Sequence, residues 1–97
     1  MYRITAHVKP KKGSKKFDGI EGAFTVLFID YKDIDGAFEL AKYYIQDEDW
    51  EIIELEKEYF VIENENEMPE GYEKFYNEVF EYGYSLIFNT YETDEEE

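Results

Sequence analysis

The residues that could do chemistry in this chain are few in kind, and their spacing excludes more reactions than it suggests. His7 is the only histidine, the serines are Ser14 and Ser85, and cysteine is absent. Thiol nucleophiles, disulfides and thiolate metal sites are therefore ruled out. Arg3, Thr5, His7 and Lys9 alternate along one segment, so an imidazole base there would sit among cations that lower its basicity. Neither serine lies in a pattern that supplies a base and an orienting group, and no catalytic residue is assigned.

Acids are abundant, but they rarely fall at ligand spacing. Tyr31-Lys32-Asp33-Ile34-Asp35-Gly36 fits a calcium loop in part, yet placing Gly36 sixth puts Tyr31 first and Lys42 twelfth, where carboxylates are required. Capping of a helix by Asp33 or Asp35 accounts for these residues better. Asp47-Glu48-Asp49 and Glu63-Asn64-Glu65-Asn66-Glu67 offer hard oxygen donors without a spacing that fixes geometry. They read as solvated turns, and neither a metal site nor a cofactor is assigned.

Charge is segregated along the chain. Arg3, Lys9, Lys11, Lys12, Lys15 and Lys16 precede the first acid, Asp18, which leaves four basic against twenty-five acidic residues in the remainder. The formal net charge is −15. Such a surface repels nucleic acid and anionic membrane over most of its area while offering one basic loop. Lys11, Lys12, Lys15 and Lys16 could contact phosphates from that loop, but Phe17 is its only aromatic, so base stacking has little support there. Nucleic-acid binding through this loop is the alternative reading, and a metal-assisted enzyme of unspecified reaction the third.

The leading expectation is a non-enzymatic acidic protein of the inhibitor or neutraliser type that binds a basic protein partner. Its carboxylates would replace phosphates or neutralise a basic site. Glu54, Glu56 and Glu58 alternate onto one side of a strand, with Asp47, Glu48 and Asp49 as the neighbouring acidic turn. No apolar run approaches the ~20 residues that span a bilayer, so no membrane association is expected and the cytoplasm is the expected compartment.

These groups must be positioned by a core, and ten Tyr, eight Phe and one Trp supply large apolar surfaces for it. Ile4, Ala6 and Val8 alternate with polar residues as in a half-buried strand, which Pro10 and the lysine loop end. Ala23–Ile29 is apolar on both sides and reads as a central strand. Ile34, Ala37, Phe38, Ala41 and Ile45 make one helical stripe over about residues 34–46. Trp50 opens a long strand to Glu63 with one wet side. Pro69 starts a second helix, with Met68, Tyr72, Phe75, Tyr76 and Val79 at helical spacing, and Gly83 ends it. Tyr84, Leu86 and Phe88 mark a last strand.

The order ββαβαβ predicts an α+β two-layer sandwich: a four-stranded mixed sheet with two helices on one face. One domain over residues 1–91 is expected, followed by a disordered acidic tail at 92–97. Helices on one face would leave the other uncovered, so a homodimer packed sheet to sheet through Leu27 and Ile29 is the expected cover.

Overall fold

The computed structural model describes residues 1–14 and 19–92. Strands β1 (Tyr2–Pro10) and β2 (Ile20–Ile29) form a hairpin, helix α1 (Ile34–Asp47) follows, and β3 (Trp50–Val61) returns to the sheet. A short 3-10 turn at Glu65–Glu67 leads to α2 (Phe75–Tyr82) and then β4 (Tyr84–Glu92). The α+β class and the element order ββαβαβ are as the sequence pattern predicts.

The sheet has the order β3-β1-β2-β4 and every neighbouring pair is antiparallel. This corrects the expected mixed sheet. Chain returning through α1 adds β3 on the far side of β1, so the strand parallel to β3 is β2, one strand removed rather than its neighbour. The long connection through α2 then places β4 at the opposite edge, again beside an antiparallel strand.

The helices do not share a face. Ala23, Leu27 and Ile29 of β2 join Ala37, Ala41 and Ile45 of α1 in one core, while Phe28 joins Ile62, Met68 and Val79 of α2 in another. Successive residues of a strand point to opposite sides, so α1 and α2 cover opposite faces of the sheet. Three layers replace the expected two. The doubly apolar second strand is thereby satisfied within one chain, as one would expect of a central strand with a helix on each side. Leu27 and Ile29 are 0% exposed, so a sheet-to-sheet dimer cannot use them.

Local chemistry sets the helix ends. Asp33 accepts a hydrogen bond from the Gly36 backbone N–H at 2.7 Å, the N-cap its type and position predict. The second helix is shorter than expected. Gly71 lies at φ +91°, outside helical backbone, and the chain makes two turns before the helix begins at Phe75 rather than Pro69. Gly83 closes it at φ +90°, with its N–H donating to the Val79 carbonyl at 2.6 Å.

Candidate functional site

The acids singled out from the sequence are exposed, apart from a half-buried Asp49, but do not form one patch. Asp47 and Glu48 end α1, and Asp49 follows in the left-handed region at φ 71°. Glu54 stands opposite His7 across the β1–β3 pair. Glu56 and Glu58 fall where β3 advances four residues against two of β1, between the pairs Ile4–Tyr59 and Ala6–Leu55. At about 3.3 Å per residue, most of a strand length separates the turn acids from Glu58.

Lys11 is held against the end of α1, its ammonium donating to the Gln46 carbonyl at 3.2 Å and its backbone N–H to the Asp49 carbonyl at 2.9 Å. A cation there complements the negative end of the helix dipole. Lys12 is exposed in the turn that follows, and Lys15 and Lys16 lie outside the described residues. The expected tail at 92–97 begins differently: Glu92 is the last residue of β4, and 93–97 lie outside the described residues.

An open cleft of about 510 Å³ runs beside β4 and is lined by Glu48, Glu78, Tyr82, Tyr84, Ser85, Leu86 and Phe88. Its floor follows from β4's alternation. Tyr84, Leu86 and Phe88 pack with the α1 core, whereas Ser85 turns to α2 and donates its hydroxyl to Glu78 Oε1 at 2.5 Å. Two stacks fix the aromatic side: Tyr84 on Tyr44 with ring centroids 3.8 Å apart, and Phe88 on Trp50 at 5.0 Å. Burial, with the neighbouring Tyr84 and Tyr43 as smaller causes, pushes the Tyr44 hydroxyl above its ordinary pKa of 10.0. Glu48 stands at the end of α1 and Glu78 on α2, so the carboxylates flank the strand from its two sides. Among the described residues no cation lines the cleft.

Of these lining residues, only Glu48 was in the expected site. The signal for the rest lay in the contrast between the edge strands. Trp50–Val61 carries Glu51, Glu54, Glu56, Lys57 and Glu58, while Tyr84–Tyr91 carries no charge at all. Which strands form the edges, however, is not written in that contrast.

A second group lies on the α2 side of the sheet, at the end nearest the lysine loop. His7 stacks on Phe24 with centroids 4.4 Å apart, and its Nε2 is 2.7 Å from the Tyr91 hydroxyl. The imidazole therefore sits in an aromatic setting rather than among the cations expected beside it. Phe24 remains 50% exposed. Further along the same face, the Arg3 guanidinium lies 4.7 Å from the centre of the Phe60 ring.

Among the described residues no group of three or more His, Cys, Asp or Glu is arranged to hold a metal ion, and no helix is long and apolar enough to cross a membrane. No family model, curated protein or solved structure matches the chain.

Proposed function

We propose that this protein is a non-enzymatic interaction protein of the inhibitor or neutraliser type, binding a basic protein partner in the cytoplasm. The observation that carries this reading is the cleft beside β4, where Glu48 and Glu78 offer carboxylates, aromatic side chains offer contact area, and no cation of the described residues competes. Aromatic surface and charge complementarity together give an interface both its affinity and its fast encounter. The acids of β3 and of the turn at Asp47–Asp49 extend the negative field that steers such a partner.

The reactive side chains support binding over catalysis. Ser85 pairs with Phe28 and Asn89 with Phe24, the residue opposite His7, so Ser85 lies four strand positions, about 13 Å, from the level of His7. Its hydroxyl is committed to Glu78. No histidine backs that hydroxyl, and no metal cluster is assembled among the described residues.

Capture of partners from the native host, with the wild-type protein and with an E48Q/E54Q/E56Q/E58Q/E78Q variant, tests the reading. A basic protein retained by the former and released by the latter is expected. Retention of a neutral or acidic partner, indifferent to these substitutions, would overturn it.

The His7–Phe24–Tyr91 group favours one second reading, single-stranded nucleic acid stacked on the half-exposed Phe24 with the exposed Lys12 on its phosphates. The net charge of −15 opposes it. Oligonucleotide binding that weakens steeply with salt and is lost in F24A would favour this reading; no binding at about 50 mM salt, the expected result, removes it.

A further inference from the structure

We infer that the outer edge of β4 accepts an extended, basic segment of the partner as a fifth strand, with its cationic side chains reaching Glu48 on one side of the sheet and Glu78 on the other. This deepens the reading above and rests on it. β4 ends the sheet, so alternate backbone N–H and C=O groups point away from β2 with no strand of the described residues to pair them.

The two sheet edges are built differently. β3 bears Glu51, Glu54, Glu56 and Glu58 together with Lys57, and its pairing with β1 shifts register twice. Charges and bulges of this kind deter another strand from adding. β4 has neither protection from Tyr84 to Tyr91, and its pairing from Ile29–Tyr84 to Gly22–Tyr91 runs without a shift. A regular, uncharged edge is a template for strand addition.

The cleft determines what fits that template. Side chains of an added strand alternate between the two sides of the sheet. On one side they meet Tyr84, Leu86 and Phe88 with Glu48 beyond, and on the other Ser85 and Glu78. Glu78 uses one acceptor position for Ser85, and an ionised carboxylate has several. A second copy of this chain is a poorer occupant, because it would bring its own Glu48 and Glu78 and a further charge of −15 to the same edge. A basic segment removes that repulsion and pairs both carboxylates.

The test uses the full chain, labelled for amide NMR, and three end-blocked peptides: TKVTKVT, whose lysines fall on opposite sides of a strand, its glutamate counterpart TEVTEVT, and TKVTKVT with alternate backbone nitrogens methylated. Binding of the first should slow exchange of alternate amides within residues 84–91. Backbone methylation should weaken it about tenfold or more through lost ladder bonds. E48Q and E78Q together should weaken it about 2- to 10-fold while leaving the exchange pattern in place. Glutamine at 78 retains an acceptor for Ser85, and the peptide comparisons need no variant at all.

Equal binding by the methylated peptide would overturn strand addition, and binding by TEVTEVT would overturn the preference for a basic segment. Self-association that protects β4 without peptide would overturn the basic segment as its occupant. Exchange slowed only around Asp47–Asp49 or along β3 would overturn strand addition and leave an acidic surface that binds basic segments. Failure of every lysine peptide to perturb any amide would overturn both.

Discussion

At Gly22 a Cβ would lie 2.5 Å from the Tyr91 hydroxyl and 2.9 Å from the Val8 carbonyl oxygen. The side chain could swing away, but the strand backbone cannot. G22A is therefore expected to cost about 1–3 kcal/mol in urea unfolding and to part Tyr91 from His7, visible as altered Tyr91 ring shifts. Tyr44 permits a prediction with a definite sign. Its folded pKa is raised, mainly by burial, so the unfolded chain ionises first as pH climbs past 10.0. Stability from this group is fully present below that pH and is lost as pH rises toward the folded pKa. Between about pH 9 and about pH 11, wild type should lose more unfolding free energy than Y44F, and equal losses would show that the hydroxyl titrates alike in both states. Leu27 shows how far tertiary context changes an expectation. Beneath α1 it is core, so L27D is expected to unfold the protein rather than release a monomer, and L27A to cost about 2–5 kcal/mol by thermal denaturation.

Among the elements, Trp50 and Phe88 report on the sheet as a whole. They belong to opposite edge strands, yet their rings stack at 5.0 Å and 13°. Val8 and Ala23 pair on the strands between them, and the single methyl of Ala23 leaves room on the α1 side for the rings to meet. F88A should remove this bridge, destabilising the protein by about 2–4 kcal/mol and shifting the emission of Trp50, the only tryptophan, to the red. Unchanged emission would mean that Trp50 is shielded by α1 alone. The helices differ in autonomy. Its fourteen residues and Asp33 cap give α1 a defined start, whereas α2 has eight residues and no side-chain cap. Most of the stability of α2 comes from Val79 against Phe28 and its neighbours in the second core.

For the molecule as a whole, the electrostatic term opposes folding, because like charge predominates. Ten cations face twenty-five acids, and among the ion pairs Lys9–Glu51 spans 3.7 Å with both side chains about half exposed, a weak interaction. Compaction brings the carboxylates closer than they are in the unfolded chain, so screening favours the folded state. The melting temperature should rise between about 20 mM and about 500 mM sodium chloride, and a fall would show that favourable pairs, such as Lys11 on the end of α1, dominate the field. The same field disfavours self-association at the unprotected edge of β4 while drawing a basic segment toward it.

The sequence by itself determined the elements, because each signal is local: the alternation of Ile4, Ala6 and Val8, the stripe of Ala37, Ala41 and Ile45, the Asp33 cap and the Gly83 stop. It also determined the classes of chemistry excluded, since one histidine and no cysteine are facts of composition. The start of α2 is not legible in the sequence, because Met68 and Tyr72 share helical spacing with Val79, while the left-handed backbone at Gly71 emerges only in the folded chain. What the tertiary structure alone decided was placement. The apolar residues on both sides of β2 are equally compatible with a dimer and with a helix on each face, and only the path of the chain after β3 selects the second. That path made β4 an edge, brought Glu48 and Glu78 to its two sides from elements thirty residues apart, and joined His7 to Tyr91 across most of the chain. Local pattern encodes which face of an element is apolar. The pairing of distant elements depends on which of several compatible burials leaves least apolar surface in water, and no single segment carries that comparison.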